Sequence, residues 1–140
     1  MEEQQQKLKL TLVTPFKKVH EDLIVDEVRL PAENGHVTVY PDHASMVTTL
    51  GIGILSYKKE GESDFSHSAL SWGYCEVNKG SVKLLAENVE DKTTVDLENE
   101  KKILSAAEEA LSSNTLQPKE IVTKQAELNF AEAKIKLFEV

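Results

Sequence analysis

Apolar residues in the first two thirds of the chain alternate with polar ones, or come in short runs cut by glycine and proline. Half-buried strands produce that pattern. Leu8, Leu10 and Leu12 alternate with Lys7, Lys9 and Thr11, and Thr14-Pro15 breaks the run because proline cannot continue a ladder. Leu23 to Val25, with Val28 and Leu30, predicts a long second strand that stops at Pro31, followed by a turn at Glu33-Asn34-Gly35. Further strands are expected over residues 36–40, 46–50, 52–57, 64–70, 73–77 and 82–86, with a short last one within 89–94. Near Thr94 the period changes. All six glycines precede it, and beyond it apolar residues recur at helical spacing.

The tail reads as a helical hairpin. Asp96 suits an N-cap, Pro118 the first turn of a second helix, and Ser112-Ser113-Asn114-Thr115 the connection. Leu97, Leu104 and Leu111 are seven apart, as are Ile121, Leu128 and Ile135. Folding the chain near Leu116 pairs 111 with 121, 104 with 128 and 97 with 135. Ala107, Ala110, Ala126, Ala131 and Ala133 would let the helices approach closely. So short a hairpin buries too little to stand alone, and it should lean on the β body or on a partner. The fold class is therefore α+β. An N-terminal antiparallel β sandwich or flattened barrel of about 8–10 strands occupies residues 1–94, and an antiparallel two-helix hairpin occupies 95–140.

Charge narrows the partners. The chain has 140 residues, 24 acidic against 16 basic, and a net charge of −8. Both parts are acidic, which argues against a nucleic-acid footprint. The single cysteine, Cys75, excludes an internal disulfide and sits in a strand-like run as a small buried hydrophobe. Met1 to Gln6 is polar and has no signal-type apolar stretch, and no apolar run is long enough to span a bilayer, so no direct membrane insertion is expected. Four histidines with Asp42 and Cys75 show no metal-ligand spacing. His20 and His67 fall in polar strand or turn settings. No nucleophile elbow is present. Neither a metal, a cofactor nor a catalytic set is expected.

The order of these elements, with their punctuation, resembles the epsilon subunit of bacterial and chloroplast F-type ATP synthases, whose mitochondrial counterpart is called delta. Leu10-Thr11-Leu12-Val13-Thr14-Pro15 is similar to the family's first strand and its T-P break. Leu30-Pro31 with Glu33-Asn34-Gly35 resembles its L-P-G-x-x-G turn, with Ala32 in place of glycine. Tyr40-Pro41-Asp42-His43-Ala44 matches its P-x-H-A segment, and Thr49-Leu50-Gly51-Ile52-Gly53 its T-x-L-x-x-G stretch. Trp72-Gly73-Tyr74-Cys75-Glu76-Val77 matches G-G-F-x-E-V with Trp72 at the first glycine, and Leu84-Leu85-Ala86 the V-x-I-L-A strand.

The resemblance implies a non-catalytic rotor component. Its sandwich would bind the gamma subunit and sit on the ring of c subunits, and its hairpin could fold against the sandwich or extend along gamma and restrain ATP hydrolysis. The complex would hold the chain peripherally on the cytoplasmic face of a bacterial plasma membrane. Asn34, His36, Asp42 and His43 would then face the c ring. Lys119, Lys124, Lys134 and Lys136 would meet the beta subunit when the arm is extended. Some family members bind ATP at the hairpin through an I/L-D-x-x-R-A start and second-helix arginines. Here Val95 and Asp96 keep the opening, but Asn99 and Glu100 follow, and Glu132 and Lys136 stand at the later positions. Acids in place of cations repel phosphates, so weak or absent ATP binding is expected. The alternative is a free-standing β-sandwich protein-binding module with a dimerising helical tail. A small hydrolase is the weaker third reading.

Overall fold

The structure, a computed structural model, describes residues 7–140; the polar stretch Met1 to Gln6 lies outside the described residues. Nine strands precede two helices: β1 (Leu8–Val13), β2 (Lys18–Ala32), β3 (Gly35–Val39), β4 (Met46–Leu50), β5 (Gly53–Lys59), β6 (Ser66–Leu70), β7 (Gly73–Asn78), β8 (Ser81–Ala86), β9 (Val89–Glu90), α1 (Leu97–Ser112) and α2 (Pro118–Lys136). The strands form one hydrogen-bonded network in the order β1-β8-β7-β4-β2-β5-β6-β9, with β3 on β2, and β1 also pairing with β2. The core is built from alternate positions, among them Leu8, Leu10 and Leu12 from β1, Val28 and Leu30 from β2, and Cys75 and Val77 from β7.

β2 belongs to both layers, which a flat strand could not do. Its first half pairs with β1 and its second half with β5 and β3. Between the His20–Leu12 and Leu23–Leu10 pairs, β2 carries one residue more than β1. Asp22 there adopts a positive φ of 48°, and its N–H turns to the Thr11 hydroxyl, 3.1 Å away. A bulge of this kind bends and twists a strand.

Several expected boundaries shift. β2 starts at Lys18 and runs past Pro31 to Ala32, because the Pro31 carbonyl still accepts the Gly51 N–H at 2.8 Å although its nitrogen can donate nothing. The last strand is only Val89–Glu90. Residues 91–94 form a turn, in which the Asp91 carboxylate accepts the Thr93 N–H at 2.8 Å and the Thr93 hydroxyl. All strand pairs are antiparallel except β1 with β8, which run parallel.

Asp96 caps α1, accepting the Asn99 N–H at 3.2 Å. Pro118 opens α2, and the Glu120 carboxylate accepts the Gln117 N–H at 3.2 Å. Asn114, with φ 59°, lies in the connection between the helices. The helices pack on each other, and α2 also packs on β5 and β6. A small cluster of Ala69, Ala133 and Leu137, with Ile52, Ile54, Val95 and Phe130 around it, seats the arm on the sandwich. The expected rungs are filled unevenly. Leu128 is buried, but Ile121 at the hairpin tip is exposed and, with Ala126, lines a hollow against Trp72 of the sandwich. Ala133 likewise serves the sandwich contact. The hairpin needs three apolar surfaces, not one, because it lies against a sheet as well as against itself.

Candidate functional site

Alternation along β4, β7 and β8 places Cys75, Val77, Leu84 and Ala86 in the core and turns Val47, Tyr74 and Leu85 outward. Polar residues belong at such positions, yet Val47 is 74%, Tyr74 60% and Leu85 45% exposed, with Trp72 beside them at 50%. The register aligns two of them across strands: Tyr74 opposes Leu85, with Thr49 and Val13 as the next partners on either side, whereas Val47 opposes Glu76. Tyr74 and Trp72 also line a hollow of about 450 Å³ with Glu33, Thr49 and Leu50. Trp72 borders the second hollow as well, formed with Ile121 and Val122 of α2. The apolar surface therefore runs from the sheet onto the arm. Contiguous exposed apolar surface of this kind marks a docking face. It did not figure among the expected sites. Its signal was the presence of Tyr74 and Leu85 at outward positions, hidden inside apolar runs.

The four residues expected at a c-ring contact do not form one patch. Asn34 and His36 sit at the β2–β3 turn, whereas Asp42 and His43 follow the opposite end of β3. His36 lines a groove with Glu132 and Lys136 of the arm. His43 is held locally, its N–H donating to the Tyr40 carbonyl at 3.0 Å and its Nδ1 lying 2.7 Å from the Ala44 carbonyl oxygen.

The residues of the degraded nucleotide motif are engaged within the arm and its seat. Val95 packs in the arm–sandwich cluster, Asp96 caps α1, and Asn99 supplies the N–H that it accepts. Glu132 and Lys136 open on the groove beside His36. Glu100 is buried and faces Lys134, not Lys136. Of the four lysines expected at a partner, Lys119 is exposed, Lys124 pairs with Glu127 at 3.2 Å, Lys136 is exposed, and Lys134 is enclosed between Glu90 and Glu100.

Two histidines are half-buried. His20 Nε2 is 2.8 Å from the Tyr57 hydroxyl, and burial, then the charge of Lys59, holds its pKa below the ordinary 6.5 against the pull of Asp91. His67 Nδ1 is 2.7 Å from the Ser56 hydroxyl in a directly opposed cross-strand pair. Burial, then Lys92 and Arg29, lowers its pKa too. Unfolded histidines therefore take up protons that the native ones refuse. Stability is full above 6.5 and falls as pH drops through that value toward the lowered native pKa values. Urea midpoints between about pH 7.5 and about pH 5 should decline, and His20→Gln should flatten part of the decline; a flat wild-type profile would contradict this. Cys75 is buried, and burial pushes its thiol up to about 12, so it is inert.

Among the described residues no group of three or more His, Cys, Asp or Glu could hold a metal ion. Among the described residues no helix is long and apolar enough to cross a membrane.

Comparison with known proteins agrees with this architecture. The family model for the ATP synthase, Delta/Epsilon chain, beta-sandwich domain matches residues 7–92. The ATP synthase epsilon chain of Geotalea daltonii is 44% identical over 126 residues, 90% of this chain and 89% of that protein. The ATP synthase epsilon chain of Bdellovibrio bacteriovorus is 33% identical over 132 residues, 94% of each. Among solved structures, a chain of the Euglena gracilis mitochondrial ATP synthase (OSCP/F1/c-ring) superposes with a TM-score of 0.77 at 24% identity, covering 96% of this chain and 80% of that one. A chain of the Tetrahymena thermophila mitochondrial ATP synthase central stalk and c-ring gives 0.54 at 13%, covering 96% and 95%. At these identities the structural matches speak for the fold, and the sequence matches for descent: the chain belongs to the ATP synthase delta/epsilon family.

Proposed function

We propose that the chain is a non-catalytic central-stalk subunit of an F-type ATP synthase, coupling rotation of the c ring to the catalytic head and restraining ATP hydrolysis through its helical arm. The observation that carries this is the cross-strand row Tyr74–Leu85–Val13, an apolar row on a stiff sheet in which Tyr74 stays 60% and Leu85 45% exposed among the described residues. Torque transmission needs a rigid anchor, and the nine-stranded network supplies one. In this reading residues 1–94 are the anchor. The apolar row takes the gamma subunit. The two ends of β3, with Asn34 and His36 at one and Asp42 and His43 at the other, take the c ring. Residues 95–140 are the regulatory arm, and Lys119, Lys124, Lys134 and Lys136 meet the beta subunit when it extends. Forty residues of helix would reach about 60 Å, enough to run from stalk base toward head. No cofactor takes part, and the complex holds the chain on the cytoplasmic face of the plasma membrane.

The test compares ATP hydrolysis by the head assembled with the full chain and with a chain ending at Thr94. Several-fold faster hydrolysis with the shortened chain is expected. Equal rates would remove the regulatory role of the arm and leave the coupling role standing.

A further inference from the structure

Arg29, Ser56 and His67 oppose one another across β2, β5 and β6. Their neighbours Val28, Leu30, Leu55 and Tyr57 fill the core, so the row faces outward. Its two ends, Arg29 and His67, line a hollow of about 570 Å³, together with Phe65, Lys92 and Leu137. The Arg29 guanidinium lies 4.2 Å from the centre of the Phe65 ring, and the His67 ring stacks on Phe65 with centroids 6.5 Å apart. Arg29 gives its Nε to Glu27 at 3.2 Å, which leaves both terminal nitrogens for a ligand. His67 sets Nδ1 against the Ser56 hydroxyl, which leaves Nε2. Two acids also border the hollow. The Asp91 carboxylate already accepts the Thr93 N–H and hydroxyl, and Asp64 is exposed to water. The charges that act on His67 are those of Lys92 and Arg29, both opposing its protonation, whereas Asp91 acts on His20 and Tyr57. The field at His67 is therefore positive, beside an aromatic wall.

We propose that this hollow binds a small ligand that carries an oxyanion on a flat apolar body. The oxyanion sits among Arg29, Lys92 and His67 Nε2, and the body lies along Phe65 and Leu137. A planar guanidinium matches two oxygens side by side. Two cations brought to one hollow repel each other, and a bound anion removes that repulsion. Arg29 and Lys92 are open to water, so charge alone gives little, and the apolar wall supplies the rest. No residue of the degraded nucleotide motif lines the hollow. The apolar docking row lies on other strands, so this site stands or falls independently of a role in a synthase.

The test follows the four histidine side chains of the full chain by NMR at fixed neutral pH while phenyl phosphate or benzoate is added. His67 should shift saturably with at least one of them, with half-saturation on the order of 1 mM, as befits so small a ligand. The tighter binder tells whether the oxyanion is a phosphate or a carboxylate. His20, His36 and His43 should stay in place. Inorganic phosphate, which has no apolar body, should bind at least about tenfold more weakly than phenyl phosphate. Arg29→Gln and Lys92→Gln should each weaken binding at least about fivefold, and Lys83→Gln, on exposed β8 surface, should leave it unchanged. An unmoved His20 resonance in each variant shows that the fold is kept. No saturable His67 shift with either compound, equal shifts of all four histidines, or wild-type binding by Arg29→Gln and Lys92→Gln would overturn the proposal.

Discussion

Replacing Gly73 with alanine is expected to cost about 3 kcal/mol or more, a large share of the roughly 5–15 kcal/mol that holds a domain folded. A Cβ at Gly73 would lie 1.7 Å from the Leu85 carbonyl oxygen, 2.7 Å from its carbon and 2.9 Å from the Ala86 Cα. All three are backbone atoms of β8, which cannot swing aside as the end of a long side chain can. Gly73 pairs with Leu50 on one side and Ala86 on the other, so any retreat of β7 disturbs both ladders. Gly51→Ala is the control, because a Cβ there meets the Ala32 carbonyl oxygen at an ordinary 3.5 Å. Urea unfolding should show a loss of under about 1 kcal/mol for Gly51→Ala beside the large loss for Gly73→Ala. Similar midpoints for the two would mean that β7 and β8 are further apart than described.

Placing a charge in the apolar row should abolish docking without touching the fold. Leu85→Asp, or Tyr74→Asp, introduces a carboxylate into this row, where Tyr74 and Val13 stand on either side of Leu85. An interface closing over it must desolvate that charge, a penalty of at least about 3 kcal/mol, on the order of a hundredfold in Kd. Tyr74 is 60% and Leu85 45% exposed in the free chain, so its own stability should change by about 1 kcal/mol or less. Loss of docking together with loss of stability would instead mark these residues as structural. Leu84→Asp, one residue away but in the core, should fail to fold and so defines that outcome.

The strands were legible where one residue in two faced the core. Leu8, Leu10 and Leu12 announce β1, and Gly35 and Gly80, both at positive φ, mark turns between strands. The arm was legible in its caps, since Asp96 and Pro118 act locally and their partners lie within a turn. What depends on distant residues was not. Nothing near Leu10 says that it pairs in parallel with Val82, some seventy residues on. Pro31 marked a stop that the structure passes, because the ladder there needs only its carbonyl. The candidate site divided along the same line. The resemblance puts Asn34, His36, Asp42 and His43 on one c-ring surface, and β3 sets the first two and the last two at its opposite ends. The resemblance gives Lys134 the same partner as Lys119, Lys124 and Lys136, yet in the structure it pairs with Glu90 and Glu100 from other elements. Tyr74 and Leu85 lay inside apolar runs whose two faces only the register distinguishes.

The central claim is that this sheet is an anchor for a stalk partner, with the arm an appendage seated beside it. The most direct measurement is complex formation between the purified chain and the gamma subunit of its synthase, by calorimetric titration, for the wild type, Leu85→Asp and a chain ending at Thr94. The account predicts tight binding by the wild type and by the shortened chain, and binding at least about a hundredfold weaker by Leu85→Asp at unchanged fold stability. Wild-type affinity in Leu85→Asp, or no binding by the folded wild type, would contradict it.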